Sequence, residues 1–285
     1  MKSYLLYLAA SSLLLTKCVS FQIPHSTFNN APTRKSASAS ASTSTCIYSS
    51  TTSILDRIED AKEDLVIMCT ASSKPSLEEV RSKVQSLEEL AEQVGIGQAP
   101  AHSGLLSGEW ELLYSPEDVT RSSPFFWAFR RAFPDQSDQI FSITDSIPAP
   151  IKEVGSATQT IDMDAKTFVS RVKVTTLGGL ATSTMTTRAS ITGVEGLECI
   201  RLKIETTKPE DSTVLEKLGP LGSMINENSP PFPSGEALEK VQPGSSEVRL
   251  ETSFCDEGLR ISKDGDKRHD VYVWKRKGFG SGMKL

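Results

Sequence analysis

Residues 166–176 read Lys-Thr-Phe-Val-Ser-Arg-Val-Lys-Val-Thr-Thr, and this stretch decides the fold class. Phe168, Val172 and Val174 alternate with Arg171 and Lys173, a period of two that gives a strand one dry face and one wet face. The pattern recurs downstream. Ile200, Leu202 and Ile204 alternate with Arg201 and Lys203, and Val248, Leu250 and Phe254 alternate with Arg249 and Glu251. Counting outward from these runs, eight or nine strands are expected, around 108–115, 140–147, 153–163, 166–176, 181–192, 197–207, 247–254, 258–263 and 270–276. So many short antiparallel strands without interleaved helices predict a mainly β protein, an up-and-down barrel or a sandwich. The exception is 209–244, rich in Pro, Gly and acid, where a short helix near 211–218 and an irregular excursion through Pro230, Pro231 and Pro233 are expected.

Two helices lead into the β region. Ser53 can cap a helix whose Ile54, Leu55, Ile58, Ala61, Leu65 and Met68 recur at spacings of three and four. Ser76 and Glu79 then form a capping-box pattern ahead of Leu77, Val80, Val84, Leu87, Leu90, Ala91 and Val94, and Gly95 supplies the stop. These helices make 54–104 a helical N-terminal region before a β domain at 105–277 and a disordered tail at 278–285.

The residues before Ser53 read as an address. An apolar run from Tyr4 to Leu15 follows Lys2 and is too short to span a bilayer; Cys18 and Ser20 sit at −3 and −1 of a cleavage before Phe21. Residues 1–20 are thus expected to be a signal peptide. Residues 21–53 hold Arg34 and Lys35, no acid and many hydroxyls, the composition of a transit peptide. The two in series resemble the bipartite presequence of algae whose plastids lie inside extra membranes. An ordinary secreted protein with a disordered start is the alternative.

The 285 residues carry 31 basic and 36 acidic side chains, a net charge of −5, and the first 53 contribute only basic ones. A body this acidic, with no dense Lys/Arg stripe, argues against nucleic acid as a partner. The five cysteines show no CxxC spacing, and the histidines at 25, 102 and 269 show no metal-ligand spacing. No nucleophile elbow, P-loop or H-E-x-x-H is present. Asp256 and Glu257 are adjacent acids on a turn and point different ways, so a solvated hairpin is favoured over general acid–base chemistry. No catalytic residue, metal or cofactor is expected.

Three segments carry a resemblance. Gly108-Glu109-Trp110 opens the first strand as the lipocalin G-x-W signature does, with the Trp plugging one end of a cup and the bare Gly108 allowing a close crossing. The second is Arg121-Ser122-Ser123-Pro124-Phe125-Phe126-Trp127-Ala128-Phe129-Arg130-Arg131-Ala132-Phe133. The third is Phe254-Cys255-Asp256-Glu257-Gly258-Leu259-Arg260-Ile261, followed by Val271-Tyr272-Val273-Trp274. In this order behind two helices, they resemble the plastid lipid-associated proteins, or fibrillins, over about residues 53–277. The resemblance implies a lipocalin-like antiparallel β-barrel preceded by two α-helices. It also implies a non-enzymatic plastid protein at thylakoids or plastoglobules that binds or organises apolar lipids such as carotenoids, quinones and neutral lipids. The alternative is a scaffold or carrier for a plastid enzyme of isoprenoid-quinone or carotenoid synthesis, met through the acidic helices.

Such a barrel would bind an apolar ligand by burial alone. The inward candidates are Trp110, Phe168, Val172, Val174, Ile200, Leu202, Ile204, Leu250 and Val273, which could equally fill a solid core. The aromatic segment has two readings. Phe125, Phe126, Trp127 and Phe129 beside Arg130 and Arg131 could anchor a peripheral membrane contact. They could instead plug a barrel mouth with the arginines in water, and five aromatics in nine residues favour the plug. The lipocalin resemblance implies closure at the Trp110 end by Gly108, Trp110 and Arg260; alternation turns Arg260 either fully inward, with Asp256 as its candidate counter-ion, or outward as an ordinary surface residue.

Overall fold

The structure, a computed structural model, describes residues 53–145, 152–176, 181–213, 230–264 and 270–278, all within the unit Thr52–Leu285. The expected presequence, the helix near 211–218 beyond Thr213 and the tail beyond Gly278 lie outside the described residues.

Both N-terminal helices form where their caps place them. Helix α1 (Ile54–Thr70) starts at Ser53 and α2 (Leu77–Val94) at Ser76, each with a reciprocal capping box to Asp56 or Glu79; Gly95 ends α2 in the left-handed conformation. The strands follow: β1 (Gly108–Tyr114), β2 (Lys152–Asp162), β3 (Thr167–Thr176), β4 (Ala181–Glu195), β5 (Cys199–Glu210), β6 (Glu247–Cys255), β7 (Leu259–Asp264) and β8 (Val271–Arg276). Each pairs antiparallel with the next, and β8 pairs back onto β1, so the sheet closes in a ring. A sandwich is thereby excluded, because neither sheet edge remains open.

Among the described residues three helices lie between the strands, which the reading of the sequence did not provide for throughout. Between β1 and β2 come a 3₁₀ turn (Val119–Ser122), α3 (Pro124–Ala132) and α4 (Ser137–Asp145); between β5 and β6 comes α5 (Ser234–Val241). Helix α4 replaces the strand expected at 140–147. Its Phe141 packs edge-on against Phe126 and at 5.9 Å from Phe129, so the tertiary contact with α3 overrides the β-leaning local composition. Part of the irregular excursion is likewise the regular α5. Gly235 lets α5 sit directly on β5: a Cβ there would lie 1.9 Å from the Ile204 carbonyl oxygen.

The ring has two apolar sides. Inside, Trp110, Phe168, Ile200, Leu202, Ile204, Leu250, Tyr272 and Trp274 share one core with Trp127 and Ala128 of α3. Outside, Phe254, Leu259, Ile261, Val271 and Val273 share a second core with Ile58, Leu65, Val80, Val84 and Leu87 of the helix pair. This division corrects one inward candidate, Val273, and the shared face read for Val248, Leu250 and Phe254. Val273 belongs to the outer core, because Tyr272 and Trp274 take the inward positions of β8. Phe254 also leaves the side of Val248 and Leu250, because a bulge between Thr252 and Phe254 reverses the alternation.

Candidate functional site

The end of the ring at β1 is sealed by two arginines on one indole. Trp110 is fully buried and its ring N–H donates to the Leu106 carbonyl at 3.0 Å. Arg276 stands directly across the β1–β8 ladder, its guanidinium 4.2 Å from the indole centroid. It donates to the Ser107 carbonyl at 2.7 Å, to the Glu257 carbonyl at 2.6 Å and to the Leu105 carbonyl. Gly108 makes room for it: φ is +145° and a Cβ would meet Arg276 Nη1 at 2.1 Å. The close approach at Gly108 is therefore side chain to backbone.

Arg260 points inward and is fully buried between two indoles, 5.2 Å from Trp110 and 4.7 Å from Trp274. Its Nη2 donates to Gln159 Oε1, while Gln159 Nε2 donates to the Ser122 carbonyl at 3.0 Å. Burial pulls the guanidinium down to about 9, opposed by Cys255 and reinforced by the like charge of Arg276. Asp256 is not its counter-ion. Asp256 Oδ1 accepts from the Gly258 and Leu259 N–H groups, and Oδ2 pairs with Lys62 of α1 at 2.6 Å. The turn directs the carboxylate outward, toward the helices, so the charge partner lies on the opposite face from Arg260.

The Arg121–Phe133 segment crosses the ring rather than lying on its surface. The Arg121 carbonyl accepts from Trp127 Nε1 at 2.8 Å, and Ser123 Oγ donates to Thr187 Oγ1 at 3.4 Å. Thr187 lies in a polar row of ladder partners running Trp110, Gln159, Ser170, Thr187 and Thr207 around β1 to β5. Trp127 is buried against Tyr272, so it is no membrane contact. Phe125, Phe126 and Phe129 are half-buried and join a ring cluster with Phe133 and Phe141. The arginines are not turned loose to headgroups either. Arg130 pairs with Glu117 and lies 4.9 Å from the Phe141 centroid, and Arg131 donates to the Glu247 carbonyl.

Of the other inward candidates, Phe168, Val172, Ile200, Leu202, Ile204 and Leu250 are buried at 0–1% exposure, and all but Val172 share the inner core. At the far end of the β3–β4 ribbon the packing opens. Val174 and its ladder partner Ser183 are half-buried, as is Met185 opposite Val172. Burial pushes the Cys255 thiol up to about 12 and the Cys69 thiol up to about 11, which keeps both protonated, and no group of three metal-ligating side chains occurs among the described residues.

Arg276 and Gln159 escaped the reading of the sequence. Arg276 sits in the basic run Lys275-Arg276-Lys277 and looks like a solvated strand end. Gln159 had a usable signal, since Ala157, Gln159 and Ile161 share one alternating face and the middle one is polar.

The fold is a closed antiparallel ring with an arginine–tryptophan stack at β1 and β8 and an aromatic helix packed into its inner core. The family model PAP_fibrillin matches residues 59–274, and the chain belongs to that family of plastid lipid-associated proteins. No curated protein and no solved structure matches the chain.

Proposed function

We propose that the protein is a non-enzymatic, lipocalin-like carrier that binds or organises apolar lipids, of the carotenoid, quinone or neutral-lipid class, at thylakoids or plastoglobules. Family membership supports a lipid-associated role in the plastid. The observation that carries the binding reading is the graded interior. Inward side chains are sealed around Trp110 and Phe168, whereas Val174, Ser183 and Met185 remain half-buried at the far end of β3 and β4. An apolar chain entering there would gain roughly 25 cal/mol for each Å² withdrawn from water. Its depth would be limited by the polar row and the plug.

The test is direct. The protein is loaded with plastid lipid extract, passed through gel filtration and extracted with solvent. A pigment or quinone at near-stoichiometric amount is the expected result, and Met185→Trp should reduce it several-fold by filling the opening. A protein that emerges free of lipid, or loading indifferent to Met185→Trp, removes the reading.

A further inference from the structure

We propose that the outer face of β3 and β4 is a docking surface for an anionic lipid bilayer. The inference rests on the membrane association proposed above and names the face and the lipid charge it requires. Strands β3 and β4 carry Arg171, Lys173 and Arg188 and, before the final Glu195, no acid. All three point away from the ring, on the face opposite Phe168, Val172 and Ala189, and form no ion pair among the described residues. Arg171 and Lys173 are two residues apart on one strand face, about 7 Å, and Arg188 stands one strand over, opposite Val169. Like charges this close repel one another and weaken a sheet unless something negative covers them. The aliphatic stem of Lys173 lies over Gly155, and the side chain as a whole is exposed.

The surrounding face suits a bed of headgroups. Thr158 flanks Arg171, Thr184 flanks Lys173 and Thr206 flanks Arg188, so each cation has a hydroxyl beside it that can donate to phosphate or sulfonate oxygens. Thr186, also beside Arg171, is buried and donates to Glu210 Oε2 at 2.6 Å, so that acid is already engaged within the sheet. No helix of the described residues lies on this face, because α1 and α2 pack against the outer core of β6, β7 and β8. Those strands lie across the ring from β3 and β4. Charge divides the same way: residues 54–94 hold ten acids and five bases. A molecule with a basic sheet on one side and acidic helices on the other orients itself at a negative surface. The same β3–β4 ribbon carries Val174 and Met185 on its inner side, so docking by this face sets the half-buried end of the interior beside the bilayer.

Flotation of the full chain on vesicles tests this. Wild type is compared on phosphatidylcholine alone and on phosphatidylcholine mixed with phosphatidylglycerol, beside a triple variant Arg171→Gln, Lys173→Gln, Arg188→Gln. A control removes equal charge elsewhere: Arg57→Gln, Lys83→Gln, Lys240→Gln. Each surface cation contributes about fivefold to binding at an anionic membrane, so the triple variant should lose about a hundredfold, and the exposed single variant Lys173→Gln about fivefold. The control should bind as wild type does, and added salt should weaken wild type more than the triple variant. Triple-variant binding equal to wild type overturns the inference. Equal wild-type flotation on both vesicles overturns it while leaving lipid association standing. Flotation on neither sinks both, and capture by soluble poly-glutamate without vesicle binding replaces the bilayer with an acidic protein partner.

Discussion

At the scale of single residues, the closure of the ring turns on how two arginines share one indole. Arg276 has three carbonyl acceptors and the Trp110 face; Arg260 has Gln159 and two indoles. Their roles differ accordingly. Arg276 ties strand ends together, while Arg260 is a buried cation whose one side-chain acceptor is itself held by the plug. Truncating Trp110→Ala should cost on the order of 3–5 kcal/mol in denaturant unfolding. A double-mutant cycle of Arg276→Lys with Trp110→Phe should show a coupling above ~0.5 kcal/mol, because Lys retains charge but loses the plane that stacks. Strictly additive losses would mean that the carbonyl bonds alone hold Arg276.

At the scale of elements, the caps and the bulge decide what forms. The Ser76 hydroxyl and backbone N–H both bond Glu79, and they hold its carboxyl below the usual carboxylate range. A folded value below the unfolded one means this contribution is complete above the ordinary carboxylate pKa and disappears as pH falls through the folded value. Helix content should therefore decline in acid below about pH 4.5 in a way that Glu79→Gln removes; an identical acid profile for that variant would show the cap plays no part. Replacing Ser76→Ala should cost about 1 kcal/mol in thermal unfolding. The two N-terminal helices were legible because capping box, apolar period and Gly95 all agree locally. Helix α4 was not, since Ser137–Asp145 becomes helical against Phe126 and Phe129 of a neighbour that local sequence does not contain.

At the scale of the whole molecule, the helix pair is a lid on the outer core, joined to the ring by polar contacts at its edge. Lys62 reaches Asp256 at 2.6 Å and Lys263 reaches Glu88 at 2.9 Å, with all four side chains mostly buried. Burial works to lower the Lys62 pKa, but the hydrogen bonds and charges of Asp256 and Glu59 outweigh it and leave it raised. The sign then follows: this stabilisation is complete below the ordinary lysine pKa and is lost as pH rises through the folded value. Asp256→Ala should destabilise the protein more than Lys62→Ala, since it also strips the Gly258 and Leu259 N–H groups of their acceptor at about 1–3 kcal/mol each. Equal losses in urea unfolding would reduce Asp256 to an ion-pair partner alone.

The sequence by itself determined the alternation of β3 and β5, the approximate positions of the other strands, the two capped helices and the kinship carried by Arg121–Phe133 and Phe254–Ile261. These are local patterns, each readable within a dozen residues. Only the tertiary structure decided which face of a strand was inside, because a bulge of one residue between Thr252 and Phe254 reverses alternation without altering composition. It likewise decided the partners of Arg260, Asp256 and Arg276. A guanidinium or carboxylate is drawn to whatever acceptor or cation the closing of β8 onto β1 brings within reach, and Gln159, Lys62 and the Leu105 carbonyl stand between 101 and 194 residues away in the chain.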